Sequence, residues 1–165
     1  MNLIVVVDEK FGIGKDNDLL FKLPTDMKFF KEMTLGKTVV MGKKTFMSLP
    51  FGPLKGRENV ILSRDPDFKC DGAVVCNSIE QVIDYCKDRE AFVIGGQQIY
   101  HTFLPYCKKA YVTKVSANGN ADKFMDNFDE LPSWKLTEKS EVFRDGNLDI
   151  CFCVYTNLTT KSKQR

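Results

Sequence analysis

The chain has 165 residues, 43% of them hydrophobic and 28% charged, with a formal net charge of +2. That length builds one domain with a full core rather than two, and a charge so close to balance, with no Lys/Arg run interleaved with aromatics, argues against nucleic acid as a partner. The apolar opening Met1 to Val7 has no basic stretch ahead of it and stops at Asp8-Glu9-Lys10, too short for a signal or membrane helix, so a cytoplasmic protein with no membrane contact is expected.

Leu3 to Val7 is a continuous aliphatic run, the pattern of a strand covered on both faces. Asp8 to Pro24 follows, polar and glycine-containing, and longer than the roughly 12 residues of an ordinary structureless connection. It reads as a lid. Gly12, Gly14, Asn17 and Asp18 give hinge-like freedom, while Ile13, Leu19, Leu20 and Phe21 supply apolar weight that closes on a ligand. Gly12-Ile13-Gly14 opens like a dinucleotide fingerprint, but Asn17 stands where the third glycine belongs and no helix pattern follows.

Pro24-Thr25 offers a helix N-cap, and the residues from Asp26 to Thr34 have helical periodicity. Met27, Phe29, Phe30 and Met33 form one apolar arc, with Lys28, Lys31 and Glu32 opposite, and Asp26 falls inside the arc. An acidic residue in a first turn has a sufficient role against the helix dipole. A carboxylate among Phe and Met side chains is nevertheless costly to bury without a partner, which favours one that faces a ligand.

Thr38 to Met41 is a second aliphatic strand, ending in Gly42-Lys43-Lys44-Thr45 and a short helical pattern through Phe46 and Leu49. Glycine, lysines and threonine at a strand-to-helix switch make a phosphate seat. Gly36-Lys37-Thr38 is no P-loop, since Lys31 stands where its first glycine belongs and a strand follows. The turn-rich Pro50 to Gly56 ends at Arg57, which by charge alone is a solvated surface residue before it is a carboxylate clamp. Asn59 to Leu62 and Ala73 to Cys76 are further strands, the first closing on Ser63-Arg64. Ser78 to Gln81 has capping-box spacing ahead of the helical repeat Ile79, Val82, Ile83, Cys86.

Phe92-Val93-Ile94 then runs into Gly95-Gly96 and a helical pattern on Ile99, Phe103 and Leu104. The glycine pair either makes a tight turn only or lets a ligand such as a pyrophosphate touch bare backbone. Pro105 stops that helix, and Ala110 to Val115 is another strand. From Trp134 the pattern alternates, with runs of about 135 to 144 and 148 to 157 flanking Asp145-Gly146-Asn147, a hairpin signal for antiparallel strands at the sheet's end. Residues 158 to 165 are expected to fray. Six cysteines without a C-x-x-C pair and a single histidine, His101, offer no zinc spacing, so no metal is expected and the thiols read as reduced and structural.

Six stretches, in this order, resemble the dihydrofolate reductase family: Gly12 to Asn17, Leu23 to Lys31, Val40 to Phe46, Leu54 to Arg64, Val93 to Tyr100 and Tyr111 to Thr113. The resemblance spans residues 2 to 157. It implies a single-domain α/β fold, with a central, mostly parallel eight-stranded sheet ending in an antiparallel C-terminal hairpin and about four flanking helices. It also implies NADPH-dependent reduction of 7,8-dihydrofolate by hydride transfer to C6 and protonation of N5, with dihydrofolate and antifolate inhibitors as ligands and a monomeric state.

By position, the resemblance makes Asp26 the group that grips the pterin and assists protonation of N5, with Thr113 bonded to it and Leu19 and Phe21 of the lid beside the chemistry. Carbonyls at Val5 and Ile94 would meet the ring. Met27, Phe30, Leu49 and Leu54 would line the benzoyl part, and Arg57 would clamp the glutamate carboxylate, against the reading from charge alone. Val6, Ile13, Gly14, Asn17 and Leu19 would meet NADPH from the sheet and lid. Gly42, Lys43, Lys44, Thr45, Leu62, Ser63 and Arg64 would meet it from two strand ends, with Lys43 and Arg64 near its 2′-phosphate. Ile94, Gly95, Gly96, Gln97, Gln98 and Ile99 would complete that seat, with Tyr100 beside the nicotinamide. The chain departs from the family at Leu20-Phe21, where Pro-Trp is usual, and at Gln98, where a charged residue is frequent. A reductase of another pterin or of a ribityl-pyrimidine would share the NADPH half but would not need Arg57 together with Asp26. A catalytically silent binding protein of this fold would hold ligand without oxidising NADPH.

Overall fold

The structure is a computed structural model and describes residues 1–160. Its elements in chain order are β1 (Asn2–Val7), β2 (Gly12–Lys15), β3 (Asp18–Leu19), α1 (Pro24–Thr34), β4 (Thr38–Gly42), α2 (Lys43–Met47), β5 (Glu58–Leu62), β6 (Ala73–Cys76) and α3 (Ile79–Cys86). Then come β7 (Ala91–Gly95), α4 (Gln97–Phe103), β8 (Lys109–Val115), β9 (Lys123–Phe124), β10 (Trp134–Lys139), β11 (Phe143–Asp145) and β12 (Leu148–Asn157).

Eight strands lie in the order β10-β12-β8-β1-β7-β4-β5-β6, and β11 pairs with the free end of β12. All pairings from β8 to β6 are parallel, whereas β12 runs antiparallel to β8, β10 and β11. The aliphatic runs occupy the middle of the sheet because only strands covered on both faces tolerate them, and β4 is buried at every position. From β1 the chain skips a place to β4, steps outward to β6, and returns to fill the gap with β7. Such a reversal opens a crevice at the strands' carboxyl ends.

The main core joins β1, β7 and β8 to α3 and α4 and includes an aromatic cluster in which the Phe128 ring lies 5.0 Å from both Trp134 and Tyr155. Smaller clusters gather around Val39, Met41, Phe46 and Ile61, and around Leu23, Val115 and Ile150. All six cysteines are unpaired, five of them buried.

The lid is not structureless. β2 and β3 form a hairpin closed by Asp16 and Asn17, both left-handed (φ 52 and 63), and β2 also pairs with β9. Two consecutive left-handed residues make the tight turn that matches strand twist, so Asn17 acts as a turn residue and not as a hinge. Thr25 is not the cap of α1: the N-cap is Leu23, which gives no side-chain cap, and Pro24 occupies the first turn. The first C-terminal run is divided, since residues 140–142 leave the ladder between β10 and β11. Of the expected tail, residues 158–160 form a turn in which Leu158 N–H donates to Ser133 O at 2.7 Å, and residues 161–165 lie outside the described residues.

Candidate active site

The crevice forms where β1 and β7 part. Their ladder holds only at Asn2/Phe92 and Leu3/Val93, and beyond it the strands no longer pair. On the other side of β7 the register with β4 slips between Val40/Val93 and Met41/Gly95, leaving Ile94 as the extra residue of a bulge. Backbone groups around Val5 and Ile94 are thereby withdrawn from the β1–β7 ladder at one level of the sheet. Tyr100 from α4 reaches into this gap and donates its hydroxyl to Ile4 O at 2.8 Å.

Asp26 closes the crevice from the α1 side. It is only 9% exposed, and Thr113 on β8, beside Val6 of β1, donates its hydroxyl to Asp26 Oδ1 at 2.7 Å. Burial pushes the Asp26 carboxyl above its ordinary range, the Thr113 hydroxyl opposes this, and the nearby Asp145 charge adds to the rise. Burial and the Asp26 charge likewise push the Tyr100 phenol upward, so the two side chains feel each other across the gap.

The far end of α1 meets a cation. Its last residue, Thr34, accepts from Arg57 Nη1 at 3.3 Å, and Arg57 Nε donates to Lys55 O at 2.9 Å. Among the described residues, Arg57 has no carboxylate partner in an ion pair. At about 1.5 Å of rise per residue, the eight positions from Asp26 to Thr34 separate carboxylate and guanidinium ends by about 12 Å. Between them Phe30, Leu49 and Leu54 are half-buried, whereas Met27 stands 57% exposed, outside the buried part of the arc. An acid at one end, a cation at the other and an apolar ledge between suit a long ligand with a hydrogen-bonding ring and an anionic tail.

Across the β7–β4 carboxyl ends the chain is pared to backbone. Gly95 has φ +128, a region that disfavours side chains, and is joined to Gly96 by a cis peptide bond. A Cβ on Gly42 would come within 2.9 Å of Ile99 Cγ1, so β4 and α4 touch there through a missing side chain. Thr45 Oγ1 lies against the same glycine pair. Lys43 is held by Asp65 at 3.5 Å and by the Phe68 ring at 4.7 Å to the centroid, while Lys44 and Arg64 are exposed. Ser63 is buried and engaged locally, its hydroxyl accepting from Asp65 N–H at 3.2 Å, next to half-buried Leu62. Gln98 is exposed. Gln97 turns to the lid, its Oε1 accepting from Phe124 N–H at 2.7 Å.

The lid residues are divided in their placement. Leu19 is 65% exposed and Asn17 lies at the exposed hairpin tip, with Ile13 and Gly14 half-buried on β2. Phe21 packs with Val6 against Leu23, Val115 and Ile150. Sequence reasoning missed Asp8, which is 3% exposed and accepts N–H bonds from Lys10, Gly12 and Gly119 at 2.7 to 2.9 Å, tying the lid's root to the segment before β9. Its only signal was an acidic residue directly after a buried strand.

Two open hollows are also present, the second of them reaching Thr113. One, of about 500 Å³, sits at the amino ends of β4 and β5, where Glu58 pairs with Arg89 at 2.9 Å and accepts from Thr38 and Tyr85. The other, of about 340 Å³, lies between α1 and β8, β10 and β12. Neither is lined by the buried carboxylate of Asp26. Among the described residues, no group of three or more His, Cys, Asp or Glu is placed to hold a metal, and no helix is long and apolar enough to cross a membrane.

Fold and crevice define an open-sheet α/β protein with a buried carboxylate, Asp26, beside the parting of its central strands. The family model described as dihydrofolate reductase matches residues 1–157. The dihydrofolate reductase of Bacillus subtilis (strain 168) is 38% identical over 146 residues, spanning 88% of this chain and 86% of that protein. The dihydrofolate reductase type 3 of Salmonella typhimurium is 36% identical over 166 residues, 100% of this chain and 99% of that one. The solved structure of dihydrofolate reductase from Enterococcus faecalis, complexed with NADP(H) and RAB-propyl, superposes with a TM-score of 0.86 at 29% identity, covering 94% and 95% of the two chains. The chain belongs to the dihydrofolate reductase family.

Proposed function

We infer that the chain reduces 7,8-dihydrofolate to 5,6,7,8-tetrahydrofolate with NADPH, supporting one-carbon metabolism, and that it works as a single cytoplasmic, monomeric domain open to antifolate inhibitors. The observation that carries this reading is Asp26, buried at the parting of β1 and β7, bonded to Thr113 and set at the opposite end of α1 from Arg57. A related reductase of a tailless heterocycle has no use for that Arg57.

The glycine-lined carboxyl ends fit the cofactor, because a Cβ at Gly42 or Gly95 would fill the cradle that Thr45 and Ile99 border. Gly42 to Thr45, Ser63-Arg64 and Gly95 to Ile99 would hold it, with the cations of Lys43 and Arg64 available to a 2′-phosphate. NADPH, when bound, supplies the hydride that reduces the C=N bond at C6.

The chain's own residues do the rest. Asp26 accepts hydrogen bonds from the ring's 2-amino group and N3, and Thr113 fixes the carboxylate's rotamer. The carbonyls of Val5 and Ile94 orient the ring, and the apolar ledge with Arg57 sets how deeply it enters, so binding energy far from the reacting atoms positions them. Asp26 grips the edge of the ring remote from N5. It favours protonation of N5 electronically, while the proton arrives through water admitted by the lid. The lid limits further water.

The test is Asp26→Asn with NADPH oxidation followed in the presence of dihydrofolate. NADPH binding is retained and turnover at neutral pH is mostly lost. An unchanged kcat refutes the role of Asp26, and NADPH binding with no oxidation by the unmodified protein would identify a silent member of the fold.

A further inference from the structure

The amino end of α1 is held from a distance. Its N-cap Leu23 provides no side-chain acceptor and Pro24 has no N–H to offer, so the next two backbone donors, Thr25 and Asp26, need a partner. Both find the same atom. Asp145 Oδ2 accepts from Thr25 N–H at 3.0 Å and from Asp26 N–H at 3.2 Å, across a sequence separation of 120 and 119 residues. Asp145 is 4% exposed and, among the described residues, belongs to no ion pair.

A cap needs an acceptor but not a charge. Asn and Ser cap helices about as well as Asp does, so a buried, unpaired carboxylate at this place has a consequence beyond helix termination. One of its two bonds goes to the backbone of Asp26 itself, which fixes where that residue starts its side chain. Its negative charge meets the Asp26 carboxyl from the β11 side, Thr113 meets it from β8, and the Tyr100 phenol meets it from α4. Of these, Thr113 stabilises the ionised form and Asp145 opposes it.

We propose that Asp145 is a positioning residue for the reduction: its buried carboxylate anchors the first turn of α1 by accepting the N–H groups of Thr25 and Asp26, and so sets both the placement and the electrostatic surroundings of the side chain that grips the substrate. This rests on the reading of Asp26 as the pterin-binding group. The reduction consumes a proton at N5, so the turnover rate falls as pH rises through the titration of the site that Asp26 governs, and Asp145 places that fall further toward alkaline pH.

The experiment is Asp145→Asn, which keeps an acceptor for both N–H groups and removes the charge. With dihydrofolate and NADPH, the alkaline limb of the kcat profile moves to lower pH, kcat at the optimum stays within about twofold, and KM for NADPH is unchanged. Above the limb, the rate falls about tenfold for each unit that the limb moves. Thr113→Val moves the limb the opposite way. The ¹³Cγ titration of Asp26 in the ligand-free protein shifts to lower pH in Asp145→Asn, a readout that needs no turnover. A limb and a titration that stay in place, or that move upward, overturn the proposal.

If Asp145→Asn does not fold, Asp145→Ser repeats the comparison, with the ¹³Cγ titration of Asp26 as its readout. Should Asp26→Asn keep full turnover, the assignment of Asp26 fails by itself, and the carbon titration still decides the role of Asp145.

Discussion

Thr113→Val isolates the bond on which the site turns. The substitution keeps a β-branched side chain of nearly the same shape in a strand position that is 2% exposed, and it deletes only the hydroxyl that donates to Asp26 Oδ1 at 2.7 Å. A hydrogen bond to an ionised partner is worth about 1.5–3 kcal/mol, one to a neutral partner about 0.5–1.5 kcal/mol. The folded Asp26 carboxyl is raised above its ordinary 3.8, so its ionisation costs stability as pH climbs through the folded titration, and below 3.8 that cost is absent. Removing the donor raises the folded value further and deepens the cost. The stability deficit of Thr113→Val should therefore grow with pH, from about 1 kcal/mol while Asp26 is neutral to about 2 kcal/mol once it is ionised. For a chain of this size the larger figure lowers Tm by about 4–8 °C. Urea unfolding from about pH 4 to about pH 9 measures it. A deficit that is flat or shrinks toward alkaline pH would mean that Thr113 acts through packing alone, and the charge-based account of the site would fail.

Arg57→Ala should raise KM for dihydrofolate about 10- to 100-fold with kcat little changed, since a remote clamp contributes equally to ground and transition states. A substrate lacking the glutamate tail should not distinguish the variant from the parent, and steady-state kinetics with both substrates checks it. Lys43→Ala combined with Arg64→Ala should erase most of the preference for NADPH over NADH while leaving NADH kinetics nearly intact, because only the 2′-phosphate loses partners. An undiminished preference in a two-cofactor comparison would remove both cations from the seat.

Much of this was legible in residue order. The aliphatic runs at Leu3–Val7, Thr38–Met41, Asn59–Leu62 and Phe92–Ile94 became central parallel strands, because a strand covered on both faces leaves no other pattern. Asp145-Gly146-Asn147 opened the antiparallel end, and Asp26 was singled out by a carboxylate's incompatibility with its greasy neighbours. What stayed hidden depends on contacts distant in sequence. The short lid strands carry no alternation to read, and β2 is stabilised by pairing with β9 more than 100 positions later. The bulge at Ile94 exists only because β7 must satisfy two neighbours with different registers. Asp145 looked like a turn residue and nothing more, since local logic has no means of seeing the helix end that it caps.

The placement of β12 between β8 and β10 has a consequence for how the protein is made. The sheet's edge at β8 stays bare, and the start of α1 stays unanchored, until β11 and β12 have left the ribosome. A nascent chain halted before residue 145 already carries Asp26, Thr113 and the glycine seat, yet lacks the carboxylate that secures the first of them. The anchored form of α1 therefore waits for residues 145 to 157 to be made.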